Sequence, residues 1–200
     1  MFICNRMNVQ LEDPCGKREA VLNSTLALIK EHGFHGTPMS QIAKNAGVAA
    51  GTIYHYFDSK ETLIVELYVH VKNKLAAAII AGDDETQSYK DRFFILMINH
   101  YNFYVENEDA LTFLELYVNS PFAKNYPEKD SQLFVDKVHT FFSYGIENAY
   151  FKNIDARLLA PTIKGTLAAA AKFQLSEHII FSKDDIKEIV NIIWDGIKRQ

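Results

Sequence analysis

The chain has 200 residues, a net charge of −4, 48% hydrophobic and 23% charged residues, the make-up of a globular protein and not of a disordered or fibrous one. No run approaches the roughly 20 consecutive apolar residues that cross a bilayer, and Phe2-Ile3-Cys4 is too short for a secretory signal, so a cytoplasmic protein with no membrane partner is expected. The two cysteines, Cys4 and Cys15, have no histidines at ligand spacing; no metal and no cofactor is expected, only two reduced thiols.

Residues 1–16 read as a flexible leader, in which either Met1 or Met7 can serve as the start. A first helix over about 17–31 follows from the spacing of Val21, Leu22, Leu26 and Ile29, with Gly33 as its stop. A second spans about 39–46 with Gly47 in the stop position, and a third covers about 50–57. Asp58-Ser59 break the chain and open a long fourth helix over about 60–81, closed by Gly82-Asp83-Asp84. Five more segments follow, over about 87–106, 108–119, 128–151, 156–177 and 183–198. Phe93 to Ile98 has the propensity of a strand, but it sits in the longer stripe Phe93, Met97, Tyr101, Tyr104 and Val105, which has helical spacing. Pro161 requires that the eighth helix start near Ala160 or kink there. Ser182 and Asp185 resemble a capping box ahead of the apolar face Ile186, Ile189, Val190, Ile193, Trp194 and Ile197. No alternating strands with hairpin dipeptides and no repeats occur, so the expected fold is all-α with about nine helices.

The stretch 33–63 carries the chemistry. Two short helices with Gly47 at the turn make a helix-turn-helix, in which small Ala43 allows a close crossing and Ile42, Val48, Ile53 and Phe57 form a small core. Gly51, Thr52 and His55 then point away from that core, with Tyr54 and Tyr56 on its flanks. Thr52 suits a base edge or a thymine methyl, and Tyr and His donors suit phosphate oxygens. Lys60 adds a positive charge at a helix N-terminus that already favours phosphate. Residues 17–74 carry a surplus of about two positive charges, so the acidity belongs to the remainder of the chain.

The run Gly33-Phe34, Thr37, Ile42-Ala43, Ala46-Gly47-Val48, Gly51-Thr52-Ile53-Tyr54, Tyr56-Phe57, Ser59-Lys60-Glu61 and Leu63 resembles the DNA-binding domain of TetR-family repressors. The resemblance implies an all-helical homodimer with a helix-turn-helix domain over 17–62 and a ligand-binding and dimerisation domain over 63–200. It implies a double-stranded, palindromic DNA operator, released on binding a small apolar or amphipathic effector. Carried over by position, Ser40, Gly51 and Thr52 approach bases or nearby phosphates, while Tyr54, His55, Tyr56 and Lys60 hold the backbone. Thr37 and Ala50 complete the expected DNA-facing set. Ala49 and Ala50 depart from the polar residues common there, and Ala49 is a poor N-cap, a deficit of about 1 kcal/mol relative to Ser.

Beyond residue 63 the chain has no phosphate-binding glycine loop, no metalloprotease or hydrolase motif and no telling pair of carboxylates, so no enzyme is expected. Aromatic density there suits a pocket walled by Phe93, Met97, His100, Tyr101, Tyr104, Phe113, Tyr117, Phe141 and Tyr144, with tyrosine hydroxyls, His100 or Asn99 orienting the ligand. Plain core packing is the competing explanation for each ring. The eighth and ninth segments are the expected dimer faces, through Leu167, Ala170, Ala171, Ile189, Ile193, Trp194 and Ile197, with monomer core as the competing explanation for either stripe. A rival function is a small-molecule-binding helical protein that has lost specific DNA binding; a small helical enzyme is a further rival.

Overall fold

Helix ends are where local chemistry decides this fold. The computed structural model describes residues 14–125 and 132–200; Met1, Met7, Cys4 and the rest of the expected leader up to residue 13 lie outside the described residues. Among the described residues nine α-helices and one 3₁₀ turn form, with no strand beyond an isolated bridge. They group into two compact units, the first ending at Leu63 and the second starting at Ile64.

In the first unit α1 (Pro14–His32) packs on α2 (Met39–Ala46) and α3 (Ala50–Tyr56). α1 begins three residues before the expected start, so Pro14, Cys15 and Gly16 belong to the helix and not to a leader; a proline costs little in a first turn whose N–H groups lack helical partners. Gly47 has φ +66°. Its N–H bonds Lys44 O at 3.3 Å while Val48 N–H reaches back to Ala43 O at 3.0 Å, the paired bonds that end a helix on a left-handed residue. Ala49 precedes α3 with no side-chain cap, as its methyl dictates. Val21, Leu22, Ile29, Ile42, Ile53 and Phe57 are fully buried; Val48 is half-buried. The Arg18 guanidinium lies 5.3 Å from the Phe57 ring centroid and covers its edge of that core.

α4 (Lys60–Ile79) starts in the first unit and continues into the second. Ser59 caps it, its hydroxyl accepting Thr62 N–H at 3.0 Å.

The second unit is built around α5 (Tyr89–Glu106), which packs on α6 (Glu108–Val118), α8 (Ala156–Glu177) and α9 (Lys183–Ile197). A 3₁₀ turn (Pro121–Asn125) follows α6, and α7 (Gln132–Glu147) precedes α8. The expected start of the seventh helix, 128–131, lies outside the described residues. Its end comes at Glu147 and not at 151, because Ala149 takes φ +61°. Tyr150 and Phe151 then both donate to Gly145 O. Phe151 turns inward and packs on Phe93 and Trp194, with ring centroids 5.8 Å from each. A β-carbon at Gly145 would collide with the Tyr89 hydroxyl and the Phe151 ring, so this position of α7 requires glycine. Lys152 N–H bonds Ile197 O at 2.8 Å and Arg199 N–H bonds Tyr150 O at 3.0 Å, tying the end of α9 to this segment.

α8 corrects the first expectation for Pro161. The Asp155 carboxylate accepts Arg157 N–H at 2.8 Å and starts the helix at Ala156, and the proline sits in the second turn, forgoing one intrahelical bond. α9 opens on the capping box: Ser182 Oγ accepts Asp185 N–H at 3.2 Å and Asp185 accepts Ser182 N–H at 2.8 Å.

Candidate functional site

α3 is held from one side and free on the other. Ile53 and Phe57 anchor it in the core, while Ala50, Gly51, Tyr54 and His55 are exposed, Tyr54 to 55%. Nothing lies within 4 Å of where a Gly51 β-carbon would stand, so a DNA backbone can approach there closely. Thr52 and Tyr56 are half-buried, and the His55 and Tyr56 rings meet edge-on at 5.4 Å. Ser40 is exposed in the first turn of α2. Two expected DNA-facing residues have other partners. Thr37 is fully buried and its hydroxyl donates to Gly33 O at 2.8 Å; its role is to close the α1–α2 turn. Lys60 is half-buried and its ammonium donates to Phe34 O at 2.6 Å, fastening the start of α4 to the same turn.

In the second unit α4, α5, α7 and α8 enclose a cavity of about 240 Å3. Lys72, Leu75, Ala76 and Ile79 of α4 form one wall, and Met97 and His100 of α5 the next. Val138, His139, Phe142 and Ser143 of α7 and Leu159, Ala160, Ile163 and Lys164 of α8 complete it. Of the nine residues expected to wall a pocket, Met97 and His100 do so.

The other seven serve the core or the surface. Phe93 packs against Trp194 at 5.1 Å, Phe141 stacks on Tyr89 at 4.5 Å and Tyr117 stacks on Tyr68 at 3.9 Å. The Tyr101 hydroxyl donates to Gln174 Oε1 at 2.9 Å, and Phe113 and Tyr104 are fully buried. Tyr144 is exposed to 48%. Asn99 does not orient a ligand: its amide donates to Ile79 O and Ala81 O, closing the end of α4. Among the residues missed are Lys72 and Lys164, and for Lys72 part of a signal was present. Lys72, Leu75, Ala76 and Ile79 keep i, i+3, i+4, i+7 spacing, which sets a lysine in line with an apolar stripe.

The expected dimer faces need correction too. Leu167, Ala171, Ile193, Trp194 and Ile197 are buried within the subunit, because α8 and α9 turn these stripes onto α5. Ala170 and Ile189 are half-buried. The apolar side chains left outside on these helices are Leu158 at 63%, Phe173 at 50% and Ile192 at 70% exposure.

Burial dominates the electrostatics of the cavity. It lowers the Lys72 pKa, helped by the charge of Lys164, and lowers that of Lys164, where Glu115 opposes the shift. His100 is pushed down to about 3 by burial first and then by Lys164 and Lys72, so it is neutral at neutral pH. Its Nε2 and the Tyr104 hydroxyl have no hydrogen-bond partner among the described residues, and the two rings lie 4.7 Å apart. A buried polar atom without a partner is costly.

A helix-turn-helix with an open reading face, on a chain whose second unit holds a largely apolar cavity, defines a ligand-responsive DNA-binding regulator. Comparison with known proteins gives the family. The pattern of bacterial regulatory proteins of the tetR family matches residues 21–67, and that of a tetracyclin repressor-like C-terminal domain matches residues 88–198. A fatty acid metabolism regulator protein of Bacillus subtilis is 25% identical over 150 residues, 74% of this chain and 77% of its own length; other curated relatives match over about half of their length or less. A tetR-family regulator structure from a Shewanella species superposes with TM-score 0.81 at 24% identity, covering 92% of this chain and 99% of that one. The regulator FadR from B. subtilis, crystallised with stearoyl-CoA, superposes with TM-score 0.63 at 19% identity, over 88% and 95% of the two chains. The chain belongs to the TetR family of transcriptional regulators. No helix among its described residues is long and apolar enough to cross a membrane.

Proposed function

We propose that the chain is a cytoplasmic repressor, not an enzyme, that binds a palindromic operator as a homodimer and lets it go when a small apolar or amphipathic effector enters the cavity. The DNA-binding domain runs from α1, which starts at Pro14, to residue 62, and 63–200 is the effector and dimerisation domain. The observation that carries this reading is the run of α4. One helix holds Lys60, beside the reading head, and Lys72, Leu75, Ala76 and Ile79, which wall the cavity. An effector that favours a shifted α4 changes the spacing of the two reading helices, by no more than its differential affinity for the two states allows. In the dimer, α3 of each subunit enters a major groove, the two about one helical turn apart or slightly more. Ser40, Ala50, Gly51 and Thr52 face bases or nearby phosphates there, and Tyr54, His55, Tyr56 and Lys60 the backbone. The exposed apolar residues of α8 and α9, Leu158, Phe173 and Ile192, supply the subunit contact. Relatives named for fatty acid regulation, and one crystallised with stearoyl-CoA, favour an amphipathic effector.

Selection of sites from a random DNA pool by the full chain at physiological salt tests the DNA half. The expected result is a near-palindrome whose enrichment is lost on Tyr54→Ala and relaxed at one base position on Thr52→Ala, by about 1–3 kcal/mol. A folded dimer that enriches no site would overturn the reading in favour of a ligand sensor without specific DNA binding.

A further inference from the structure

The cavity is apolar over most of its wall, yet four nitrogen-bearing side chains line it. Lys72 comes from α4, His100 from α5, His139 from α7 and Lys164 from α8, and of these the two lysines carry a full charge. Among the described residues no carboxylate lines the cavity and none pairs with Lys72 or Lys164. Glu115, which attracts Lys164 from further off, has its own carboxylate held by Lys172 at 2.8 Å. Two partly buried ammonium groups that repel each other are an arrangement the fold alone has no use for. An apolar lining would be more stable. Both ammonium groups become satisfied when one anion arrives and compensates the two charges.

Size narrows the ligand further. An engineered cavity of about 150 Å3 holds benzene, so about 240 Å3 accommodates on the order of ten non-hydrogen atoms. The walled part therefore suits the body of a compact acid.

We infer that the effector is a small amphipathic carboxylate, its apolar body against Leu75, Ile79 and Ile163 and its carboxylate between Lys72 and Lys164. This rests on the cavity being the effector site, as proposed above, and adds the charge and size of what enters it.

Octanoate, with ten non-hydrogen atoms, is the probe, and 1-octanol and octylamine are its neutral and cationic counterparts. Binding to the full chain is measured by calorimetry, with operator release measured in parallel. Octanoate is expected to bind at least tenfold more tightly than 1-octanol, and octylamine not at all. Lys72→Met and Lys164→Met are expected each to weaken octanoate at least tenfold and to leave 1-octanol unchanged. Both variants lose a desolvated charge and keep the side chain's bulk, so they are expected to unfold no earlier than the parent protein. Equal affinity for octanoate and 1-octanol, undetectable octanoate binding, or octanoate binding indifferent to both lysine substitutions would each overturn the inference. Lysine-dependent octanoate binding that leaves operator affinity unchanged would uphold the anion site and overturn the release mechanism instead. Octyl phosphate bound more tightly than octanoate through the same lysines would overturn the assignment of a carboxylate.

Discussion

His100 makes the second unit sensitive to acid in a way that a single substitution removes. In the unfolded chain the imidazole titrates near its ordinary 6.5, whereas in the folded protein it takes up a proton only near pH 3. Between those values the unfolded state binds a proton that the folded state does not, so folding stability falls as pH drops through this window. From pH 7 to pH 5 the loss from this one group is about 2 kcal/mol, and it continues to grow until the folded imidazole titrates. Leucine at position 100 has no such proton to bind and leaves no unpartnered Nε2 buried in the second unit. His100→Leu is therefore expected to match the parent protein within about 1 kcal/mol at pH 7 and to exceed it by about 2 kcal/mol more at pH 5. Trp194 is the only tryptophan of the chain and is buried in the second unit, so urea unfolding followed by its fluorescence reads that unit. Equal losses between pH 7 and pH 5 in the two proteins, at unchanged denaturant slopes, would refute the reasoning.

Two glycines give further tests. Gly47→Ala forces a β-carbon onto a left-handed residue and is expected to cost the helix-turn-helix about 1–2 kcal/mol, Gly47→Asn roughly half of that, read by circular dichroism as an earlier loss of helix and by weaker DNA binding. Gly145→Ala drives a β-carbon into the Tyr89 hydroxyl and the Phe151 ring and is expected to cost about 1–3 kcal/mol, several degrees of Tm. Adding Phe151→Leu is expected to return part of that loss, and an unchanged Tm for Gly145→Ala alone would contradict the packing described.

Much of the architecture was legible because it is encoded within a few residues of where it acts. Gly33 and Gly47 occupy left-handed positions at the ends of α1 and α2, Ser182 and Asp185 form the capping box read from their spacing, and Ile42, Ile53 and Phe57 form the head's core. What the sequence concealed is which way an apolar helix face turns once several neighbours compete for it. Phe141 and Phe142 are adjacent, about 100° apart on the helix, and only the second lines the cavity. Ile193 and Trp194 have the stripe of an interface and are covered by their own subunit's α5. Thr37 belongs to the motif on which the resemblance rests, but a motif does not distinguish a hydroxyl that meets DNA from one that closes a turn. Lys72 and Lys164 escaped because a lone lysine on a helix is ordinarily a solvated charge, and only the cavity that α4 and α8 both line brings them together.

The division of labour along α3 bears on how such a regulator changes its targets over generations. Its holding residues, Ile53 and Phe57, are separate from the exposed positions 50, 51, 54 and 55. Replacements at exposed sites without structural duties shift stability by only about 0.5 kcal/mol. New variants at those four positions therefore survive as folded proteins while they sample new sites, and a lineage can move to a different operator without passing through a protein too unstable to persist.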